Sequence, residues 1–179
     1  MSSPASWLVQ HAGLLPREGR ALDVACGRGR HALWLAECGL TTLAVDRDPE
    51  AIRELNEAAR ERRLPLRAEV RDLESRAGPF GPAPFPGSTF DVIVVVHYLH
   101  RPLFPALIEA LASGGLLVYE TFTRAQAARG KPTNPDFLLK PGELLELVGP
   151  LEVLASREGD FDDRMVASVV ARRSVERRL

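Results

Sequence analysis

The sequence predicts an α/β fold: an open, mostly parallel sheet of seven strands with helices on both faces. Apolar strand-like segments alternate with helical segments through five strands, a pattern typical of right-handed crossovers between parallel strands. The segment 90–96 is apolar for nearly its whole length, as in a strand that helices cover on both sides. The last two strands stand too close in the sequence for a helix between them, so we expect them to pair antiparallel at one edge.

The predicted elements follow from apolar periodicity and from the residues at their ends. In chain order they are a helix over 5–13, a strand over 20–25, a helix over 30–37, a strand over 41–45, a helix over 49–63, strands over 64–70 and 90–96, a helix over 102–111, a strand over 116–121, a helix over 141–148 and strands over 151–157 and 165–172. Gly39 ends the second helix, and Asp48 followed by Pro49 begins the third. Gly114 and Gly115 are predicted to end the helix before the fifth strand.

The connecting segments are rich in glycine, proline and charge. Residues 78–88 form a Pro/Gly-rich loop, and residues 124–140 form a polar loop. An acidic turn over 159–163 joins the last two strands, and residues 172–179 form a basic tail that we expect to fray. Because the same strand–helix pattern continues on both sides of the Pro/Gly-rich loop, we predict a single domain over residues 1–179.

Composition and charge are those of an ordinary soluble globular protein. The net charge of −1 over 179 residues argues against broad electrostatic capture of nucleic acid. The cysteines, Cys26 and Cys38, offer neither a disulfide framework nor metal-ligand spacing, so we expect no metal. The sequence has no signal-peptide pattern and no apolar run that could span a bilayer. We therefore expect a cytoplasmic protein without a membrane partner, either a monomer or a homodimer.

The stretch from Ala21 to Ala32 reads as a buried strand, a tight glycine turn and the start of a helix. Gly27 and Gly29 let the backbone approach a ligand closely, because no Cβ stands in the way. The helix that follows directs its N–H groups and the positive end of its dipole toward the same place. Asp46 ends the next strand, where a carboxylate can accept both hydroxyls of a ribose. These features predict a nucleoside-type cofactor.

The glycine spacing alone is compatible with a dinucleotide fingerprint, so the carboxylates decide between cofactors. Asp23 stands beside the turn, where it disfavours a pyrophosphate and favours an ammonium or a sulfonium. Asp72 and Leu73 end the third strand, where they suit an adenine amine and the adenine ring. The chain also lacks room for the separate substrate domain that many dehydrogenases carry. Together with Asp46, these residues favour S-adenosylmethionine over a nicotinamide cofactor.

Four segments resemble the ordered motifs of class I methyltransferases. The stretch Leu22-Asp23-Val24-Ala25-Cys26-Gly27-Arg28-Gly29 resembles the first motif, with Ala25 where glycine is common. The second, third and fourth motifs correspond to Val45-Asp46, Arg71-Asp72-Leu73 and Phe90-Asp91-Val92-Ile93. In addition, Phe137-Leu138-Leu139-Lys140-Pro141-Gly142-Glu143-Leu144 is similar to a stretch of tellurite-resistance-type (TehB-like) methyltransferases.

The resemblance implies a Rossmann-like methyltransferase (EC 2.1.1.-) that converts S-adenosylmethionine to S-adenosylhomocysteine. It implies contacts to the methionine part from Asp23, Gly27 and Gly29, to the ribose from Asp46, to the adenine from Arg47 and Asp72, and near the sulfonium from His97. We further expect Leu73 to pack on the adenine ring and the backbone of Ala25 and Cys26 to line the site. Arg30 can reach the methionine carboxylate, but an exposed arginine in a first helical turn explains it equally well.

Residues at the ends of the fourth and fifth strands are the candidates for handling the acceptor. His97, Tyr98 and His100 follow the fourth strand, and Glu120 and Thr121 end the fifth. A hydroxyl or a protonated amine would need a general base, for which His97 is the candidate, whereas an ionised acceptor would need none. We expect a small-molecule acceptor, with the loops over 78–88 and 122–140 closing over it. An RNA or protein methyltransferase, an NAD-binding oxidoreductase and a non-catalytic S-adenosylmethionine-binding protein remain the alternatives.

Overall fold

Seven strands form one sheet in the computed structural model, which describes residues 3–74 and 89–175. The strands are β1 (Arg20–Val24), β2 (Thr41–Asp46), β3 (Leu66–Val70), β4 (Phe90–Val96), β5 (Leu111–Phe122), β6 (Glu152–Phe161) and β7 (Arg164–Arg172). The helices are α1 (Ser6–Gln10), α2 (Arg30–Glu37), α3 (Pro49–Glu61), α4 (Phe104–Ala110) and α5 (Glu143–Leu147). The predicted loop over 78–88 lies outside the described residues.

The strand order is β3-β2-β1-β4-β5-β7-β6, which confirms the predicted fold class. The pairs β1–β2, β2–β3, β1–β4 and β4–β5 are parallel. Strand β7 runs antiparallel to both β5 and β6, between which it lies. The direction of chain progression along the sheet reverses between β1 and β4, and ligands of such sheets bind beyond the carboxyl ends of the strands at this reversal.

Helices cover both faces of the sheet, as the apolar fourth strand predicts. In β4, Ile93 and Val95 belong to the same buried cluster as Leu107 of α4. Val94 belongs to the cluster on the other face, together with Leu35 of α2. Alternate side chains of one strand therefore enter two different cores, which is why β4 is apolar at nearly every position. None of the described helices combines the length and the apolar content that crossing a membrane requires.

Elements with local end signals have the bounds that the sequence predicts. Helix α2 covers the predicted residues, and Gly39 follows it with φ +99°. The side chain of Asp48 accepts hydrogen bonds from the N–H groups of Glu50 (2.9 Å) and Ala51 (3.3 Å), so it caps α3 as predicted. Strand β4 also has its predicted bounds.

The prediction that Gly114 and Gly115 end a helix was wrong. Helix α4 ends at Ala110, and β5 begins at the next residue, so both glycines lie inside the strand. Gly114 has φ +77°, and a Cβ on Gly115 would stand 2.8 Å from the carbonyl oxygen of Phe90. The pairing of β4 with β5 is irregular at this point. The glycines therefore accommodate a bulge rather than a helix terminus.

The C-terminal hairpin also differs from its prediction. Strand β6 continues to Phe161, and the turn consists of Asp162 and Asp163 with φ +52° and +60°, not the acidic segment 159–163. The first described residues of the tail are held rather than frayed. Arg173 donates to the carbonyl oxygens of Glu109 (2.9 Å) and Leu111 (2.7 Å), at the C-terminus of α4.

Smaller differences concern the element ends. The predicted first helix divides into α1 and a 3₁₀ turn over 12–14, and the segment 124–140 contains 3₁₀ turns over 124–128 and 135–137. The helix predicted over 102–111 begins with a 3₁₀ turn over 101–103. Frayed or tightened ends of this kind are common where no strong cap fixes the boundary.

Candidate active site

A cavity of about 770 Å³ lies at the carboxyl ends of the first five strands. The residues that line it follow β1 (Ala25), β2 (Asp46, Arg47), β3 (Arg71, Asp72, Leu73, Glu74), β4 (His97, Tyr98, Leu99) and β5 (Thr121, Phe122), or belong to the later segment (Lys131, Pro132, Thr133, Asn134, Phe137). Because β1 and β4 are neighbours, the cavity spans the reversal point of the sheet.

The glycine turn after β1 has alternate residues in the left-handed region. Ala25, Gly27 and Gly29 have φ +54°, +52° and +75°. A Cβ on Gly29 would stand 2.4 Å from the methyl carbons of Leu55 in α3, whereas a Cβ on Gly27 would meet nothing within 4 Å. Gly29 is thus required by packing, and Gly27 leaves open space beside the turn. The glycine pattern therefore combines a structural and a site-forming requirement.

Asp46 joins the glycine turn to the end of β2. Its Oδ2 accepts a hydrogen bond from the N–H of Gly27 (2.8 Å), and its Oδ1 accepts one from the N–H of Asp48 (3.0 Å). The carboxylate lines the cavity and is half-buried. Since each carboxylate oxygen has two lone pairs, both oxygens of Asp46 can accept a further hydrogen bond. The backbone contacts fix the orientation in which they do so.

Asp23 and Cys26 are buried behind the turn and do not line the cavity. Asp23 is 1% exposed and accepts the N–H of Ala32 at 2.9 Å, so it holds the first turn of α2 against β1. Burial raises the pKa of Asp23 to about 7, while the Ala32 N–H and Arg30 lower it. Burial also raises the pKa of the Cys26 thiol, with further contributions from Asp23 and Asp46. A thiol in this environment stays protonated and acts as a packing group.

The residues after β3 bring two more carboxylates to the cavity, those of Asp72 and Glu74. The Oδ1 of Asp72 accepts the N–H of Glu74 (3.0 Å), so Asp72 forms a turn and also lines the cavity beside buried Leu73. Arg47 lines the cavity from the end of β2 and is exposed. Arg30 does not line the cavity, and its Nη1 donates to the carbonyl oxygen of Ser3 at 3.3 Å.

His97 occupies a constrained position directly after β4. It has φ +59°, and its N–H donates to the carbonyl oxygen of Glu120 at 2.8 Å. The imidazole stacks on Phe122 with 4.6 Å between ring centroids, and its Nε2 is buried without a partner among the described residues. Burial lowers the pKa of His97 to about 4, with smaller effects from Arg164 and Arg30 that Glu120 opposes. The ring is therefore neutral at physiological pH.

The other candidates near the acceptor divide between cavity and core. Tyr98 and Thr121 line the cavity, whereas His100 does not. Glu120 is buried elsewhere, where it accepts hydrogen bonds from Ser168 Oγ (2.6 Å) and Arg157 (3.1 Å). Glu120 and Thr121 are adjacent in β5, so their side chains point to opposite faces of the sheet. In this structure Thr121 is the one of the two that lines the cavity.

Residues 131–137 form a wall on one side of the cavity. From the sequence, these residues were predicted only to belong to a polar loop. Arg101 anchors this wall from the turn after β4. Its guanidinium donates to Glu143 Oε1 (2.6 Å) and Oε2 (2.9 Å), and to the carbonyl oxygens of Asp136 (2.9 Å) and Leu138 (3.0 Å). The bond to Arg101 holds the pKa of Glu143 below its usual range. The signal in the sequence was Glu143 in the tellurite-resistance-like stretch, but its partner lies 42 residues away.

The sheet order, the glycine turn and the carboxylates after β2 and β3 define a nucleoside-binding protein of the Rossmann-like class. Residues 21–115, more than half of the chain, match the family described as the methyltransferase domain, and the chain belongs to this family. The family match confirms the predicted methyltransferase class, and the fold agrees with that of solved S-adenosylmethionine-dependent methyltransferases.

Solved structures and a curated protein are similar to the chain over different extents. TehB from Haemophilus influenzae is 20% identical, with a TM-score of 0.79 over 97% of this chain and 64% of that chain. An S-adenosylmethionine-dependent methyltransferase from Methanosarcina mazei is 19% identical, with a TM-score of 0.70 over 98% of this chain and all of that chain. "Hemagglutinin 1" from Eikenella corrodens is 38% identical over 58 residues, which are 32% of this chain and 19% of that protein.

The residues present in the cavity fit S-adenosylmethionine. Asp46 has lone pairs available on both oxygens, and Asp72 uses only Oδ1 for its turn among the described contacts. The open space beside Gly27 admits a ligand close to the backbone. At the other end of the cavity, the buried Nε2 of His97 has no partner among the described residues. The ribose hydroxyls and the adenine amine of the cofactor would find acceptors in Asp46 and Asp72, and the nucleophile of an acceptor would find the Nε2 of His97.

Proposed function

We propose that the protein transfers the methyl group of S-adenosylmethionine to a small-molecule acceptor by in-line displacement. The observation that carries this proposal is one cavity with different chemistry at its two ends. Asp46 and Asp72 follow β2 and β3 on one side of the reversal point, and His97 follows β4 on the other. The first side suits a nucleoside, and the second provides a neutral base.

The cofactor residues are proposed from their places in the cavity. Asp46 accepts hydrogen bonds from the ribose hydroxyls, Asp72 accepts one from the adenine amine, and Leu73 packs on the adenine ring. Arg47 covers the adenine from the end of β2, and the turn at Gly27 admits the methionine part. When bound, S-adenosylmethionine supplies a methyl carbon to which the acceptor's lone pair bonds, while the carbon–sulfur bond breaks and its electron pair stays on the sulfur of S-adenosylhomocysteine.

His97 is proposed as the general base for an acceptor that loses a proton. With the pKa of His97 lowered to about 4, the imidazole is neutral at physiological pH and has a lone pair to offer. The same shift makes it a weaker base than an ordinary histidine, so it would hold the acceptor's proton only during methyl transfer. A positioned base contributes about 10²- to 10⁴-fold in rate. The larger contribution is orientation, worth about 7–11 kcal/mol in well-aligned systems, to which the fixed walls of the cavity contribute.

A small acceptor is favoured over RNA or protein by the shape of the site. Residues of the wall over 131–137 line the same cavity as His97 and Phe122, so they bound the space that is open to an acceptor. The net charge of −1 provides no general attraction for a polyanion. Transfer of labelled methyl groups to macromolecules in a lysate, with none to small molecules, would overturn this part of the proposal.

Calorimetric titration with S-adenosylmethionine and with NAD tests the cofactor assignment. We expect binding of S-adenosylmethionine alone, and Asp46→Ala should weaken it more than tenfold because two ribose hydrogen bonds are lost. Asp48→Ala is the matched control: this carboxylate caps α3 outside the cavity, so the variant should lose about 1 kcal/mol of stability and retain its affinity. Unchanged affinity in Asp46→Ala, or binding of NAD instead, would refute the assignment.

We also propose a cytoplasmic location. Cys26 and Cys38 are both free, which suits a reducing compartment. Fractionation of cells that make the protein with a detectable tag tests this proposal. Recovery of the protein outside the cytoplasm would contradict it.

A further inference from the structure

We propose that the methyl acceptor is a small organic anion with a planar apolar body, bound through Lys131 and Phe137. This inference rests on the proposed function, since it specifies the acceptor of the same cavity. It follows from three properties of the end of the cavity beyond β4 and β5: its charge, its apolar surface and the anchoring of its wall.

The two ends of the cavity differ in charge. The lining residues after β2 and β3 include both acids and bases: Asp46, Arg47, Arg71, Asp72 and Glu74. Among the described residues from 89 to 175, Lys131 is the charged residue that lines the cavity. The carboxylate of Glu74 meets this end on one side, where it accepts a hydrogen bond from the Tyr98 hydroxyl at 3.4 Å. A cation at this end attracts an anionic group and disfavours a protonated amine.

The charges around His97 agree with this distribution. Arg164 and Arg30 both act to lower the pKa of His97, and Glu120 acts in the opposite direction. Glu120 is paired with Arg157 and Ser168, which compensates its charge. The neutral imidazole itself adds no charge. Two arginines therefore act on the imidazole against one carboxylate that is itself paired.

Apolar and aromatic groups line this end together with the polar residues Thr121, Thr133 and Asn134. Leu99, Phe122, Pro132 and Phe137 line it, and the rings of His97 and Phe122 are stacked on each other. Phe137 is 51% exposed, which is a large exposed fraction for an aromatic ring at a cavity wall. A planar apolar body would bury these surfaces, whereas a bare inorganic oxyanion would leave them exposed to water.

The wall is held in place before any ligand arrives. Arg101 donates to the carbonyl oxygens of Asp136 and Leu138, the two residues on either side of Phe137. Its fork to Glu143 fixes the guanidinium that makes these bonds. Phe137 is thereby positioned on a preformed surface, which reduces the entropy lost on binding.

Binding of matched aromatic compounds to the protein–S-adenosylhomocysteine complex tests the inference without knowledge of the nucleophile. The compounds are 2-naphthoate, its neutral amide, the cationic 2-naphthylmethylamine, and selenite as a bare oxyanion. We expect calorimetry to give the tightest binding for 2-naphthoate. Lys131→Gln should weaken naphthoate binding about two- to fivefold, the range of an exposed ion pair, and leave the amide unchanged.

Two further variants separate charge from shape. Lys140→Gln removes the other lysine of the chain, which does not line the cavity, and should change neither affinity. Phe137→Ala should weaken the naphthoate and the amide alike, by about fivefold, because both lose the same aromatic contact.

The outcomes distinguish this inference from the proposed function. If S-adenosylhomocysteine does not bind, the proposed function fails. If it binds but selenite, the amine or the amide binds as tightly as naphthoate, or Lys131→Gln affects amide and naphthoate equally, the acceptor inference fails while the proposed function stands.

Discussion

Replacement of Gly29 by alanine should destabilise the fold by about 3 kcal/mol. The residue has φ +75°, a conformation that costs an L-amino acid with a Cβ about 1–2 kcal/mol. The new Cβ would stand 2.4 Å from the methyl carbons of Leu55, which is 1% exposed and cannot move into solvent. Overpacking of this kind costs about 1–3 kcal/mol. The total is a large fraction of the stability of a typical domain.

Gly27→Ala is the matched control, because it imposes the backbone cost without the clash. Gly27 has φ +52°, and its Cβ would meet nothing within 4 Å, so we expect a loss of about 1 kcal/mol. Leu55→Ala supplies the second control. In the double variant with Gly29→Ala, the clash is absent, and the combined loss should be about 1–3 kcal/mol smaller than the sum of the single losses.

Urea unfolding followed by circular dichroism measures the four variants and the unmodified protein, with equal m-values as the check that unfolding stays comparable. Thermal unfolding should show about 2–4 °C of lowering per kcal/mol for a chain of this size. Equal losses in Gly27→Ala and Gly29→Ala, or strict additivity in the double variant, would refute the reasoning. In that case contact with Leu55 would not be the reason for glycine at position 29.

Two further predictions concern the wall and the histidine. Arg101→Met removes the two hydrogen bonds to Glu143 and two bonds to backbone carbonyls, and should lower the free energy of unfolding by about 2 kcal/mol. In a Glu143→Gln background the same substitution should lower the free energy of unfolding much less. Additive losses would contradict the role of Arg101 as the anchor of the wall. Because the pKa of His97 falls from 6.5 to about 4 on folding, the unfolded chain takes up its proton first as the pH drops. Relative to His97→Gln, the native protein should therefore lose free energy of unfolding as the pH falls from 6.5 to 4. The difference between the two proteins should be constant above pH 6.5 and below pH 4. A difference that stays constant through the whole range would disprove the burial effect.

The sequence predicted those elements whose signals are local. Asp48 with Pro49 marks the start of α3, and the apolar run marks β4, because cap chemistry and burial act within a few residues. Gly114 and Gly115 were misinterpreted since glycine serves helix ends and strand bulges alike. Only the pairing with Phe90, which is distant in the sequence, distinguishes the two cases.

The residues around the cavity also divide into those that the order of elements places and those that distant contacts place. Asp46, Asp72 and His97 line it because parallel strands bring their carboxyl ends to one edge, which the order of elements already implies. Asp23 lies one residue before the end of β1 and points into the core toward α2 instead. The wall with Phe137 depends on a contact between Arg101 and Glu143 that no local spacing encodes.

The position of β7 has a consequence for how the protein is synthesised. Strand β5 pairs with β4 on one side, but its other edge stays open until residues 164–172 have left the ribosome, because β7 fills that place. A nascent chain that already contains the five parallel strands β1 to β5 therefore exposes a long apolar strand edge, which is a template for aggregation. Strand β7 follows the other described strands in the sequence yet fills the place between β5 and β6, so a chain that stops before it would be an early client for chaperones.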